Sequence, residues 1–356
     1  MSSPHRSRRA VGIWLLVLAG MVIVQVALGG ITRLTDSGLS ITEWRPLLGV
    51  VPPLDDAGWQ EAFAKYREIP QYRLLKSSLT LEEFKFIYFW EWFHRLFGRL
   101  LGVAFVVPFV VFHWRKRLVG FYRPLAGLAA LGAGQGLMGW LMVASGLTER
   151  VYVSHLRLAA HFMFAAVLFI ALVHMGVRLV RDPAPLAREG ALTKRRVADA
   201  LLALLLLQLV YGAFMAGLKA AVFAPTWPTI NGVWVPTGIA SFDAVINNPI
   251  GVHFVHRTLA YLLVAGVLGL AIGAHRSLGL EGRLLGALVV LQATLGVLTA
   301  IKSYQHGWLL PLGVTHQVVA LLLLAALLVA RMRLAAACRS PEQATTASPD
   351  AAPAPA

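Results

Sequence analysis

The chain has 356 residues, of which 58% are hydrophobic and only 14% are charged, and its mean hydropathy is +0.68. A soluble protein of this length would carry about a quarter charged residues, so the composition excludes an ordinary soluble domain. The formal net charge of +15 is typical of nucleic-acid-binding proteins, but its distribution along the chain favours a different explanation.

Eight apolar stretches follow one another along the chain. Each is long enough to cross the ~30 Å hydrocarbon layer of a membrane as a helix. They cover residues 11–28, 86–112, 121–143, 158–180, 197–218, 252–274, 284–301 and 312–330. The predicted fold class is therefore an all-α integral membrane protein with eight transmembrane helices. The even number of helices puts both termini on one side.

Basic residues are concentrated in the two tails and in every second loop, where acidic residues are few. The positive-inside rule makes this side cytoplasmic. We therefore expect cytoplasmic segments at 1–10, 181–196 and 332–356, the last of them a disordered Ala/Pro-rich tail. The long outward loop, 30–85, balances seven basic against eight acidic residues. The charge thus sets topology, and no nucleic-acid partner is expected.

Two halves, 11–180 and 197–331, carry similar motifs in the same order. Gln25 in the first span matches Gln208 in the fifth, and Phe93-His94-Arg95-Leu96 in the second matches Val255-His256-Arg257-Thr258 in the sixth. In the third and seventh spans, Gln135-Gly136-Leu137-Met138-Gly139 matches Gln292-Ala293-Thr294-Leu295-Gly296. In the fourth and eighth, Ala160-His161-Phe162 matches Thr315-His316-Gln317. Four spans per half preserve orientation, which predicts two pseudo-symmetric four-helix bundles. A basic stretch before an apolar run also fits a signal peptide, but because the first span has a counterpart in the fifth, we expect it to be retained.

Four histidines lie near the outward ends of the even-numbered spans: His94, His161, His256 and His316. Ionisable side chains inside a membrane are rare and usually functional, although a single one can be a hydrogen-bonded core residue. Imidazole is a good axial ligand for haem iron, and facing helices can present two rings to one porphyrin. Zinc would want three or four ligands, and no cysteine is nearby. The pattern predicts two haem pockets, His94 with His161 and His256 with His316.

Glu91 lies three residues before His94, on the same helix face. A carboxylate here is costly unless it is paired, protonated or functional. It could pair with Arg95, Arg99 or an imidazole, or it could take part in a reaction. The matching residue of the second half is His253, which suggests that the first pocket does chemistry and the second holds a permanent cofactor.

Arg95 and Arg257 directly follow the first histidine of each predicted pair. A guanidinium at this place can bind a haem propionate through charge-assisted hydrogen bonds. It can equally serve only to position its helix. The sequence leaves both interpretations open.

The sequence resembles the haem A synthase family of cytochrome oxidase assembly. The first outward loop carries Gly29-Gly30-Ile31-Thr32-Arg33-Leu34-Thr35-Asp36-Ser37-Gly38-Leu39-Ser40, continuing through Trp44-Arg45-Pro46 to Val51-Pro52-Pro53. Glu91 with His94-Arg95, His161, His256-Arg257 and His316 match the remaining motif positions. The resemblance covers nearly the whole chain except the tails. Many bacterial members have cysteine pairs in the outward loops, whereas the only cysteine here is Cys338, so the chain looks closer to a cysteine-free branch that includes mitochondrial members.

The resemblance implies that the chain is an oxidoreductase that converts the C8 methyl group of haem O to a formyl group, giving haem A. It implies that His256 and His316 ligate a resident haem b, that His94 and His161 flank the substrate haem, and that Glu91 is the catalytic carboxylate. Whether Glu91 acts as a general base or an electrostatic stabiliser, or whether the substrate iron activates oxygen, stays open.

The location implied by the resemblance is the bacterial inner membrane, with the haem sites toward the periplasm. Haem O is the implied substrate, membrane lipid surrounds the chain, and haem O synthase and oxidase assembly factors are candidate partners, as is a second copy of the chain. Two alternatives remain: a bis-histidine b-type electron-transfer cytochrome, and a haem-handling membrane protein that does no chemistry.

Overall fold

The computed structural model describes residues 4–43, 49–147, 151–180, 190–305 and 307–338. Eight helices within these ranges are long and apolar enough to cross a membrane. They are α1 (Pro4–Leu34), α4 (Leu81–Trp114), α5 (Tyr122–Leu147), α6 (His155–Val180), α7 (Ala191–Gly217), α9 (Pro249–Gly273), α11 (Leu280–Ile301) and α12 (Leu309–Ala337). The described part contains no β-strand beyond one isolated bridge. The predicted all-α membrane protein with eight spans is confirmed.

Several helices extend past the apolar stretches from which they were predicted. α1 begins at Pro4, inside the predicted tail 1–10, and ends at Leu34, inside the predicted loop 30–85. α12 continues to Ala337, so the start of the tail predicted to be disordered is helical, and 339–356 lie outside the described residues. Likewise α7 begins at Ala191, within the predicted linker, of which 181–189 are not described. Hydropathy marks only the part of a helix in hydrocarbon, and its polar end turns are missed.

Four shorter helices lie outside the spans: α2 (Asp56–Arg67), α3 (Pro70–Leu75), α8 (Phe242–Asn247) and α10 (His275–Leu278). α2 and α3 fold the first outward loop into a small domain over the start of α4. Its apolar core contains Leu39, Tyr66 and Phe84, all fully or almost fully buried. The predicted long loop is therefore a packed structure, except for residues 44–48, which lie outside the described part.

The helices that carry the first histidine of each pair have well-defined starts. Thr80 caps α4 in a capping box with Glu83, in which the Glu83 carboxylate accepts from the Thr80 backbone N–H at 2.8 Å. Asn248 caps α9 by accepting from the backbone N–H of Ile250 at 2.8 Å, with Pro249 at the first helical position. These caps fix where each helix begins and hence the depth of the residues that follow.

Four helices form the centre of the molecule: α1, α6, α7 and α12 pack against one another in a ring. The outer helices attach in equivalent ways, since α4 packs on α1 as α9 packs on α7, and α5 packs on α6 as α11 packs on α12. This is the packing that the predicted repeat requires, while the symmetry axis itself stays a prediction.

α1 and α6 approach closely where a glycine of each helix meets the other. A Cβ on Gly12 would lie 2.9 Å from the carbonyl oxygen of Gly176, and a Cβ on Gly176 would lie 3.1 Å from that of Gly12. Membrane helices gain stability from this kind of close approach, because lipid supplies no hydrophobic drive between them.

Gly12→Ala should therefore destabilise the protein by about 1–3 kcal/mol, the usual cost of overpacking. Gly20→Ala is the matched control, because it lies on the same helix and a Cβ there meets nothing within 4 Å. Thermal unfolding in detergent measures the difference. Equal midpoints for the two variants would contradict the proposed close packing.

Candidate haem-binding sites

The four histidines singled out in the sequence lie on two outer and two inner helices. His94 is on α4 and His161 on α6, close enough for a charge on one ring to affect the other. His256 on α9 and His316 on α12 are related in the same way. Each half thus carries one histidine on an outer helix and one on an inner helix, and the binding of one haem between them stays a prediction.

Each histidine ring packs against a glutamine and a glycine of a neighbouring helix, spaced four residues apart. We call these the Gln–Gly pairs: Gln25/Gly29 at His94, Gln135/Gly139 at His161, Gln208/Gly212 at His256 and Gln292/Gly296 at His316. In each, the glutamine Nε2 lies 3.3 Å from the histidine Nε2. A Cβ on the glycine would lie 3.0–3.6 Å from the ring Cε1, so the absence of a side chain makes room for the ring.

The polar atoms of these sites fit a haem ligated by imidazole. The Nδ1 atoms of His161, His256 and His316 are buried and have no hydrogen-bond partner among the described residues. Buried polar atoms are normally satisfied, so these three nitrogens have room for a ligand, although Nδ1 of His253, which belongs to neither pair, is unpartnered too. His94 differs, because the Gln25 amide lies 3.3–3.4 Å from both of its ring nitrogens.

The histidines form pairs and not larger clusters. Within the described residues, no group of three or more His, Cys, Asp or Glu side chains could hold a metal ion. Two imidazoles are enough for an iron that a porphyrin already holds in its plane, whereas zinc needs more protein ligands.

Glu91 is buried and fully engaged. Its Oε2 accepts from Ser40 Oγ at 2.7 Å and from the backbone N–H of Ile41 at 2.8 Å, and its Oε1 accepts from Arg95 at 2.6 Å. The ion pair with Arg95 that the sequence allowed is therefore present. Ser40 is the last residue of the first quoted stretch of the loop motif and Ile41 follows it, but their contact with Glu91 was not expected from the sequence.

Arg95 joins the first outward loop to α4. Besides Glu91, its guanidinium donates to the carbonyl oxygens of Ile41 at 2.9 Å and Glu43 at 3.0 Å. Carbonyl oxygens of a loop are therefore the partners in this structure, whereas the sequence had also suggested a haem propionate.

Arg257 makes the equivalent contacts in the second half. It donates to His253 Nε2 at 3.0 Å and to the carbonyl oxygens of Ala224, Thr226 and Thr229 at 2.6–3.1 Å. With four hydrogen bonds, little of the guanidinium is left for a propionate. The geometry favours the positioning role that the sequence left open, and His253 serves the same role for Arg257 that Glu91 serves for Arg95.

An ion cluster at the outward side joins the two halves. Arg33, at the end of α1, donates to the carbonyl oxygens of Ala216 and Gly217 at the end of α7. Asp36 pairs with Arg33 at 3.3 Å and with Lys219 of the second half at 2.9 Å. Lys76 donates to the backbone oxygen of Asp36 at 3.4 Å. Burial lowers the pKa of the Lys76 ammonium, and the negative charge of Asp36 offsets only part of this effect.

The family model for cytochrome oxidase assembly proteins matches residues 12–328. The chain belongs to this family. It is 46% identical to a protein named Heme A synthase from Rhodospirillum centenum, over 97% of this chain and 94% of the relative. It is 45% identical to the Heme A synthase of Rhodopseudomonas palustris strain HaA2, over 89% and 88%, and 42% identical to that of Sphingopyxis alaskensis, over 91% and 92%.

In this member of the family the two halves differ in one packing contact. α9 packs along α11, but α4 and α5, the corresponding helices of the first half, hardly touch. The apolar segments of α4 and α5 are accordingly the least buried of the eight. Phe89 and Val103 of α4 and Leu137 and Trp140 of α5 are exposed. The first half is open between these two helices, whereas α9 and α11 of the second half are in contact, apart from a cavity between the end of α9 and the start of α11 that is lined by Leu268, Ile272 and Gly286.

Arg95→Met and Arg257→Met should each release one outward loop. Charge-assisted hydrogen bonds contribute about 1.5–3 kcal/mol each, so losing several should raise the open population of the loop by about tenfold or more. Limited proteolysis in detergent with a protease of broad specificity measures this. We expect faster cleavage within 35–80 for Arg95→Met and within 219–248 for Arg257→Met. Each variant is the control for the other, and unchanged cleavage in both would refute the positioning role.

Proposed function

We propose that this family member is a haem A synthase, which oxidises the C8 methyl group of haem O to a formyl group. The methyl carbon loses two hydrogens and gains one oxygen, a four-electron oxidation that passes through a hydroxymethyl stage. Relatives that share 40–46% of its residues over most of its length carry the name Heme A synthase. Two histidine pairs, each ring seated on a Gln–Gly pair, supply the places for two haems.

The observation that carries the proposal is the difference between two halves that otherwise repeat. A cytochrome with two resident haems has to retain both, and it has no need of a carboxylate in only one pocket. Here the first half has a buried carboxylate where the second has His253, and it is open between α4 and α5. A substrate must enter and leave, whereas a resident cofactor must stay.

We assign the second half to a resident haem b, whose iron His256 and His316 would hold. When bound there, haem b would supply one-electron transfer between the substrate half and an external acceptor. The packing of α9 along α11 would help to retain it, and the Gln–Gly pairs would position the two imidazoles.

We assign the first half to the substrate haem, flanked by His94 and His161. Haem O is apolar apart from its propionates, so a route through the membrane-facing opening between α4 and α5 suits it. The amide nitrogen of Gln25 lies 3.3–3.4 Å from both nitrogens of the His94 ring and donates to the backbone oxygen of His94 at 3.1 Å.

Glu91 is the proposed catalytic carboxylate. It lies one helical turn outward from His94, and Ser40, Ile41 and Arg95 hold it in one position. A fixed carboxylate suits electrostatic stabilisation, because oxidation of a methyl group at the porphyrin edge develops positive charge at that carbon. A carboxylate placed there also accepts the proton that the carbon loses.

A second candidate, a b-type electron-transfer cytochrome, is favoured by one observation. Glu91 accepts from Arg95 as His253 accepts from Arg257, so loop positioning alone would explain the carboxylate. The two functions differ in one respect: a synthase chemically modifies a haem that it binds, whereas a cytochrome does not.

Membrane location follows from the eight helices, and we propose the bacterial inner membrane with cytoplasmic termini. The charge distribution supports this orientation, which puts both haem sites toward the periplasm.

Glu91→His gives the first half the residue of the second and keeps an acceptor for Arg95. We expect cells with a haem O source to accumulate haem A with the wild-type chain and about 100-fold less with Glu91→His, the scale of loss when a preorganised electrostatic group is removed. Extraction of haems and chromatography measure this. Absence of haem A with the wild-type chain would refute the synthase, and wild-type levels with Glu91→His would reduce Glu91 to loop positioning.

His256→Ala and His94→Ala separate the two pockets. Purified His256→Ala should lose haem b, whereas His94→Ala should keep it and fail to make haem A. Absorption spectra of the purified proteins measure bound haem b per chain. Equal losses in both variants would contradict the assigned division between the halves.

A further inference from the structure

The sequence repeats one feature that the proposed chemistry does not use, namely a glutamine four residues before a glycine on α1, α5, α7 and α11. Four residues is about one helical turn, so both side-chain positions face the same neighbour. That neighbour is one of the four histidine rings in every case. Two of these helices, α1 and α7, are inner, and two, α5 and α11, are outer. The repeated glutamine and glycine therefore correlate with the presence of a facing histidine and not with one position in the bundle.

The side-chain oxygens of these glutamines lack hydrogen-bond donors. The side-chain Oε1 atoms of Gln25, Gln135, Gln208 and Gln292 are all buried and have no hydrogen-bond partner among the described residues. A membrane interior offers little water to satisfy them. Amide oxygen and nitrogen exchange places by a half-turn of the side chain. After that turn at Gln135, Gln208 and Gln292, the oxygen would occupy the position 3.3 Å from the ring nitrogen that the nitrogen occupies now. Gln25 is different, because its nitrogen also donates to the backbone oxygen of His94 at 3.1 Å, and a turned amide would place two oxygens against each other.

An iron-bound imidazole needs such an acceptor. Iron takes the lone pair of one ring nitrogen, so the other nitrogen carries the proton and donates it. We propose that Gln135, Gln208 and Gln292 are positioning residues for the haem ligands, whose side-chain oxygens accept a hydrogen bond from the N–H of the imidazole opposite iron. This inference rests on the proposed haem sites.

The glycines complete the arrangement. At Gly139 and Gly296 an added Cβ would lie 3.0 Å from the ring Cε1, closer than side chains normally pack, whereas at Gly212 it would lie at an ordinary 3.6 Å. Because the glycine one turn after the glutamine has no side chain, the histidine ring can approach the backbone of that helix. At this distance the glutamine side chain reaches a ring nitrogen.

One competing acceptor is present on the same helices. The backbone carbonyl groups of Gln135 and Gln292 also lie near their histidines, but neither makes a hydrogen bond to Nδ1. A carbonyl there would serve an imidazole that binds iron through Nε2, whereas the glutamine oxygen would serve one that binds iron through Nδ1. Substitution of the glutamine side chain leaves these carbonyls in place, so the two acceptors can be told apart.

The redox potential of the resident haem b distinguishes an acceptor from a mere packing contact. An acceptor on the imidazole N–H makes the ligand more basic, which stabilises ferric iron and lowers the midpoint potential. Gln208→Leu and Gln292→Leu should raise the potential of haem b in the purified full chain. The ferric-to-ferrous ratio at fixed potential should fall by about tenfold, or about 59 mV for one electron.

Gln208→Glu and Gln292→Glu should shift the potential downward, because a carboxylate is a stronger acceptor. Because the charge of a carboxylate lowers the potential on its own, the upward shift in the leucine variants is the decisive result, and the glutamate variants serve to test whether an acceptor at this position keeps haem b bound. Gln25→Leu and Gln135→Leu are matched controls in the other half and should leave this potential unchanged.

Unchanged potentials in the Gln208 and Gln292 leucine variants, or equal shifts for leucine and glutamate, would overturn the inference. Where leucine variants hold too little haem b to titrate, retention of haem b is the second readout. Retention by the glutamate variants supports the acceptor role, and equal loss in both refutes it. Failure of the haem assignment itself is recognised separately, because His256→Ala would then keep its haem b.

Discussion

A histidine inside a membrane helix needs both room and a polar partner, and the Gln–Gly pairs supply the two together. The glycine lets a neighbouring helix approach the ring, and the glutamine one turn away reaches its nitrogen. Without a partner, a buried imidazole would cost several kcal/mol in hydrocarbon. The placement of all four rings depends on this contact, and so do the two sites that they form.

Around this shared contact, the two halves have diverged in what surrounds the haem. In both, an arginine one residue after the first histidine ties an outward loop to its helix, with Glu91 or His253 as its side-chain partner. The same scaffold therefore accepts a carboxylate or an imidazole as the partner of this arginine. Such a position is suited to acquiring chemistry, because its structural role tolerates either residue. The sparse contact between α4 and α5 is the second difference, and we propose that it gives a substrate access from the membrane.

Sequence reasoning predicted the eight helices and the histidine pairs, because both depend on local hydropathy and on an internal repeat. It missed the ends of α1 and α12, since their terminal turns lie beyond the apolar stretches. The partners of Arg95 and Arg257 were not accessible either, because loop carbonyl groups carry no residue-specific signal. The Gln–Gly pairs were visible as a spacing of four, but only the structure shows that each faces a histidine. The opening between α4 and α5 depends on tertiary packing, which hydropathy does not report.

We propose that the two repeated haem sites have different functions, because one holds a cofactor and the other admits a substrate. The most direct measurement is the number of haems per chain in protein purified from cells that make haem b but no haem O. Pyridine haemochrome analysis with quantitative amino-acid analysis gives this ratio. We predict one haem b per chain. A ratio of two would mean that both pockets hold resident cofactors, and it would contradict the assignment of the first half to a substrate.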